Sequence, residues 1–187
     1  WPQPKRAQAG LGRSYQRTTI FPRFSVFENC RLAAQATHQV PWNWWTAASD
    51  CPISTALARE ALDRTGLAGL ADRTAGLLSH GQKQWLEIGM MLVQEPRALL
   101  LDEPVAGMSQ DERTATGELL HRIAERRVVL VVEHDMDFMR RYASRVTVLH
   151  QGKLLSEGSV AQVQADPKVQ EVYLGTAGAV TTQGEGA

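Results

Sequence analysis

No apolar run in this sequence approaches the roughly 18 residues needed to cross a bilayer, and no charged-then-apolar leader opens it. A soluble, cytoplasmic protein is therefore expected. A surplus of one charge is also missing, with 20 basic side chains against 20 acidic ones. That balance provides no basic face of the kind that neutralises phosphate backbones, so non-specific nucleic-acid binding is disfavoured. Cysteine is scarce. Cys30 and Cys51 have no metal-ligand partners at useful spacing, and in a reducing compartment they read as small, half-buried free thiols. There is no internal repeat. The 187 residues suit one folded unit with a real core and a small helical appendage. The chain opens at Trp1 instead of Met, which leads to the expectation of upstream sequence.

Two continuous apolar runs stand out, Ala98 to Leu101 and Val128 to Val132. Such runs suit strands buried on both faces of a parallel sheet, and each is followed by acidic residues. Between them Ser109 is placed to cap a helix. Its first turn holds Asp111 and Glu112, whose charge suits the helix dipole, and its inner face carries Leu119, Leu120 and Ile123. A short helix from Met136 to Tyr142 follows the second strand. Then Val146, Val148 and Leu149 reach a Gln151-Gly152 turn that returns through Leu154 and Leu155. The order is α/β with a hairpin near the end. Upstream, Ser25 to Gln35 and Ile53 to Thr65 read as helices with a break over Asn43 to Asp50 and no strand signal. The expected divisions are residues 1–24, a helical subdomain over 25–78, the rest of the α/β core over 79–175, and a disordered Gly, Thr and Ala tail over 176–187.

Three segments carry chemistry. Leu78-Ser79-His80-Gly81-Gln82 has the Ser-to-Gln spacing of a capping box, followed by a helix whose apolar face is Trp85, Ile88, Leu92 and Val93. Taken alone, this is equally an ordinary capped helix or an anion site built from a hydroxyl, a close-approach glycine and a helix N-terminus. Leu99-Leu100-Leu101-Asp102-Glu103-Pro104 ends a strand in adjacent carboxylates. One of these could hold hydrated Mg²⁺ and the other polarise water, although paired acids at a strand end also make a simple solvated turn. Val131-Val132-Glu133-His134-Asp135 ends the neighbouring strand in a histidine, which alone reads as structural. Trp42, Trp44 and Trp45 fit either burial in the helical subdomain or the border of a groove that receives a partner protein.

Order and spacing together resemble the nucleotide-binding domain of ABC transporters. The family's usual signature is leucine-serine-glycine-glycine-glutamine, and here His80 replaces the first glycine. The D-loop reads Val105-Ala106-Gly107-Met108-Ser109. Both departures resemble the ATPases of the branched-chain amino acid and urea importer group. So do Glu133 to Met136 and the closing Glu171-Val172-Tyr173-Leu174-Gly175, while Gly12-Arg13-Ser14-Tyr15-Gln16 with Ile20-Phe21-Pro22 looks like that group's Q-loop. The Q-loop region leans toward amino-acid importers and the signature helix toward urea importers. The resemblance covers about Lys5 to Gly175. It implies a P-loop NTPase-like core, a parallel sheet with flanking helices and an inserted α-helical subdomain, without the phosphate-loop strand.

By that resemblance Gln16 helps hold Mg²⁺ and reports nucleotide state, and Asp102 anchors the metal through water. Glu103 is the general base, and His134 contacts the γ-phosphate. Ser79, Gly81 and Gln82 bind the ATP of the opposite site in a head-to-tail dimer, and the D-loop residues Ala106, Gly107, Met108 and Ser109 link the sites. His80 adds a titratable group near phosphate. The implied partners are a second ABC ATPase subunit, integral membrane permease subunits and, indirectly, a substrate-binding protein. The implied place is the inner face of the plasma membrane.

A phosphate loop needs Gly-Lys-Ser or Gly-Lys-Thr. The one Gly-Lys pair here, Gly152-Lys153, precedes Leu154 inside the expected hairpin. The resemblance places the missing loop upstream of Trp1. These 187 residues alone are therefore expected to bind ATP weakly and hydrolyse none, and to associate through an apolar sheet edge at Val128 to Val132. The alternatives are a truncated or inactive partner subunit and a soluble ABC ATPase acting on ribosomes or DNA.

Overall fold

The computed structural model describes residues 2–14, 19–38 and 51–172. Gln16, the Trp42, Trp44 and Trp45 cluster and the tail from residue 176 lie outside them. The described residues divide into one unit up to His134 and a second from Asp135 onward. No described helix is long and apolar enough to cross a membrane.

The first unit is built on a parallel sheet of β1 (Leu11–Arg13), β2 (Ala98–Asp102) and β3 (Val128–Val132), with β2 in the middle. β2 and β3 are the two apolar runs. β1 has no signal of its own, because three residues Leu-Gly-Arg carry no period; its pairing with β2, Leu11 opposite Ala98 and Arg13 opposite Leu100, defines it. The register also sorts the faces. Gly12, Leu99, Leu101, Val129 and Val131 share one face, on which Leu99 and Leu101 are 0% and 1% exposed.

On the other face Val128, Leu130 and Val132 remain 66%, 56% and 59% exposed. The expectation of burial on both faces thus fails for β3. A β-branched run specifies a strand, but only packing elements make it buried, and these three side chains stay largely exposed. β3 is also the sheet's edge among the described residues.

Between β1 and β2 the chain leaves the sheet to form α2 (Val26–His38) and α3 (Pro52–Thr65), following α1 (Gln3–Gln8) and preceding α4 (His80–Leu92). Their shared core includes Val26, Cys30, Ala34, Leu62, Leu78, Leu86 and Val93, so α4 packs with the helical pair as well as reaching the sheet. Ser25 and Glu28 cap α2 reciprocally at 3.1 and 2.9 Å. Gly66, at φ 73°, ends α3 in the left-handed conformation that glycine adopts without strain.

The excursion closes at a neck. Val26 donates to Arg73 O, Phe27 to Ala71 O, Ala75 to Phe24 O and Gly76 to Pro22 O, each at 2.9 Å. The fully buried Asn29 braces it, accepting from Phe21 N at 2.7 Å and donating to Phe21 O and Ser25 O. β2 then leads through α5 (Gln110–Ala124) to β3, the expected strand, helix, strand unit. Leu119, Leu120 and Ile123 are buried on α5 as its sequence suggests.

In the second unit α6 (Met136–Tyr142) is capped by Asp135, whose carboxylate accepts from the Asp137 and Phe138 amides. β4 (Val146–His150) pairs antiparallel with β5 (Lys153–Gly158). Gln151 and Gly152, at φ 50° and 74°, make the connecting turn, so the Gly-Lys pair lies in a hairpin and not in a phosphate loop. α7 (Val160–Ala165) follows behind a Ser159–Gln162 capping box. Val146, Val163 and Val169 form this unit's core.

Candidate active site

β2 ends at Asp102 and β3 at Val132, and these residues pair in register, so the segments that follow emerge side by side. Glu103 N–H donates to Val132 O at 2.8 Å. Its backbone sits at φ 47°, a left-handed conformation that costs a non-glycine residue about 1 kcal/mol or more. In that conformation Glu103 Oε1 lies 3.5 Å from His134 Nδ1, with the side chains 50% and 76% exposed. A contact this exposed adds little to stability. With this backbone a carboxylate stands beside an imidazole.

Asp102 N–H donates to Ser14 Oγ at 3.3 Å, and Ser14 N–H donates to Leu100 O, which ties the end of β1 to the end of β2. Glu133 supplies a second tie, accepting from Val105 N–H at 3.1 Å and from His134 N–H at 3.2 Å. One carboxylate thus fixes the segment after Glu103 and the backbone of His134.

The signature and D-loop residues form another cluster, where the N-termini of α4 and α5 meet. Ser79 Oγ accepts from Gln82 N–H at 3.2 Å, and Gln82 Oε1 accepts from Ser79 N–H at 3.0 Å, the expected capping box. Ser79 Oγ also donates to Glu112 Oε1 at 2.9 Å. Glu112 Oε2 accepts from Ser109 N–H at 3.1 Å and so caps α5. The Ser109 amide, the Ser79 hydroxyl and, more weakly, the charge of His80 hold the Glu112 carboxyl below its ordinary 4.5. His80 also borders Gly107, which turns the D-loop at φ 69°. Behind them Met108 is buried, and Trp85 Nε1 donates to Thr116 Oγ1 at 2.8 Å.

Asp102, Glu103 and His134 thus share one end of the sheet, while Ser79, Gly81, Gln82 and the D-loop from Ala106 to Ser109 share the junction of two helix caps. Ser79's polar partners are Gln82 and Glu112, not Glu103 or His134. Glu133, Glu112 and Ser14 do not emerge as site residues from the sequence. The Ser109-to-Glu112 spacing is the one available signal, and it points to capping alone.

The donor set fits a hydrated Mg²⁺. Asp102 and Glu103 at the end of β2 supply the one or two carboxylates that Mg²⁺ takes, with water and phosphate completing its shell. Cys30 is fully buried, and burial pushes its thiol up to about 12, so it is inert. A cavity of about 280 Å³ is lined by Arg6, Gly12, Arg13, Thr19, Glu87 and Gln94 among others, and by none of the acidic and histidine cluster.

Comparison with known proteins now places this arrangement. Residues 2–106 match the ABC transporter family and residues 153–179 the branched-chain amino acid ATP-binding cassette transporter family. The chain belongs to the ABC transporter family, as the sequence resemblance indicates. It is similar to the high-affinity branched-chain amino acid transport ATP-binding protein BraF of Pseudomonas aeruginosa, 33% identical over 185 residues that cover 94% of this chain and 72% of the relative. It is also similar to LivG of Escherichia coli K12, described in the same words, at 31% identity and the same coverage. Among solved structures it resembles the ADP conformation of MJ1267, an ATP-binding cassette of an ABC transporter. That match has a TM-score of 0.75 and 27% identity, covering 91% of this chain and 70% of that one. The expected fold, an α/β ABC ATPase core with a parallel sheet and helices, is borne out.

Proposed function

We propose that this chain carries the hydrolysis and dimer-contact residues of an ATP-binding subunit that energises an importer of branched-chain amino acids or a related small solute such as urea. The observation that carries this reading is the Glu103–His134 contact of 3.5 Å at paired strand ends. Glu103 takes a proton from the attacking water, and His134 holds that water and the terminal phosphate in line. Asp102 and Gln16 are the residues that would hold Mg²⁺, which when bound would supply positive charge against the phosphate oxygens.

Ser79, Gly81 and Gln82 face the ATP of a second ABC subunit in a head-to-tail dimer, and Ala106, Gly107, Met108 and Ser109 link the two sites. Permease subunits dock the assembly peripherally on the inner face of the plasma membrane, with a substrate-binding protein acting indirectly. The printed names of BraF and LivG support the solute class.

The test is Glu103→Gln in the natural full-length protein assembled with its permease. ATP hydrolysis should fall by about 100-fold or more while ATP binding persists. Hydrolysis within about tenfold of wild type would remove the general-base assignment. Stimulation of hydrolysis by leucine against urea in the assembled complex separates the two solute classes.

A further inference from the structure

A serine hydroxyl has one proton to give. In Ser79 the oxygen already accepts from Gln82 N–H at 3.2 Å, and the proton is committed to Glu112 Oε1 at 2.9 Å. The other oxygen of that carboxylate accepts from Ser109 N–H at 3.1 Å. A single side chain therefore joins the cap of α4 to the cap of α5.

The fit is close enough to dictate a neighbour. A Cβ at Gly81 would stand 2.7 Å from Glu112 Oε1 and 2.8 Å from Cδ, so with a side chain there the end of the flexible Glu112 side chain would have to shift. The glycine of the signature segment thus has a role within its own protomer, apart from any approach to phosphate.

From this geometry we infer that Glu112 is a positioning residue: it holds the Ser79 hydroxyl while no nucleotide is present and must release it before Ser79 can donate to the triphosphate of a second copy. The inference rests on the ATPase reading above. A hydroxyl hydrogen-bonded to a carboxylate cannot donate to a phosphate at the same time, so the two acceptors compete for one proton. The exchange leaves α5 capped, because Ser109 N–H stays with Oε2. It also leaves an ionised carboxylate beside an incoming anion, which raises the ATP level needed to close the site. The D-loop enters the same equilibrium, since Ser109 is its last residue.

Glu112→Gln tests this. Glutamine serves in a capping box as glutamate does. With its carbonyl on Ser109 N–H, its amide would donate to Ser79 Oγ and leave the serine proton free. In the natural full-length protein with its permease, the ATP concentration for half-maximal hydrolysis should fall about fivefold, as expected for removing a hydrogen bond to an exposed charged acceptor. The melting temperature should stay near wild type. In a Ser79→Ala background the gain should shrink to less than about twofold, because only the charge effect survives.

A structural lesion would instead lower the melting temperature and raise the half-saturating ATP. If Glu112→Gln melts early, Glu112→Asp replaces it: one methylene shorter, it keeps a charged cap but loses the reach to Ser79, so a smaller fall of about twofold to threefold is expected, the charge remaining in place. An unchanged half-saturating ATP, or an equal gain with and without Ser79, overturns the inference and spares the ATPase reading. Absence of ATP turnover in the wild-type complex sinks both.

Discussion

Replacing Glu133 by alanine tests whether the Glu103–His134 pair, proposed above to act in hydrolysis, is held by the carboxylate behind it. In the native chain Glu133 accepts from Val105 N–H at 3.1 Å and from His134 N–H at 3.2 Å. Val105 is 2% exposed, so its orphaned N–H bears a full desolvation cost of about 1–3 kcal/mol. His134 is exposed, and its N–H finds water at a cost of a few tenths. About 2 kcal/mol is then expected, which for a domain of this size lowers the melting temperature by about 4–8 °C.

Glu133→Gln keeps one acceptor and should show about half that shift. The backbone of His134 is no longer fixed in the alanine variant. A displacement of about 1 Å from Glu103 lowers kcat by about 10- to 100-fold. Differential scanning fluorimetry and steady-state hydrolysis on the natural full-length protein read both quantities. A melting temperature within about 1 °C of wild type together with an unchanged kcat would refute the bracing role.

Two further outcomes follow from surfaces and charge. The open sheet face should make the 187-residue chain associate with rising concentration, and Leu130→Lys, at a position 56% exposed, should shift it toward monomer in analytical ultracentrifugation; unchanged association would clear this face of the role. Glu112 has its carboxyl held below the ordinary 4.5, so its ionised form contributes stability that is present above that pH and lost as pH falls through the lower folded value. The melting deficit of Glu112→Ala against wild type should therefore narrow on acidification, and a deficit independent of pH would contradict the hydrogen-bond assignment.

How much was legible in the chain follows from what each residue acts upon. α5 could be read because its signals are local: Ser109 at its start and Leu119, Leu120 and Ile123 at helical spacing. β2 and β3 could be read as strands, but nothing in Val128 to Val132 says whether a layer will cover them, and burial on both faces was the wrong inference for β3. β1 is defined only by a partner 87 positions further along, Leu11 against Ala98. Asp102, Glu103 and His134 were visible because they lie just past apolar runs in the order and spacing of the resembled family's motifs. Glu133 was not, because its function is spent on a backbone amide 28 positions upstream. Glu112 showed only half its use: the cap on Ser109 is local, whereas the tie to Ser79 spans 33 positions.

The four amide-to-carbonyl links from residues 22–27 to 71–76 make the helical excursion a loop whose ends are already clasped. Chain added or lost at the far side of α2 and α3 changes only the loop that hangs beyond the clasp, and lengthening a flexible loop costs just a fraction of a kcal/mol per doubling, about 0.6. Length can thus change beyond the clasp while the tie between Ser14 and Asp102 keeps its place.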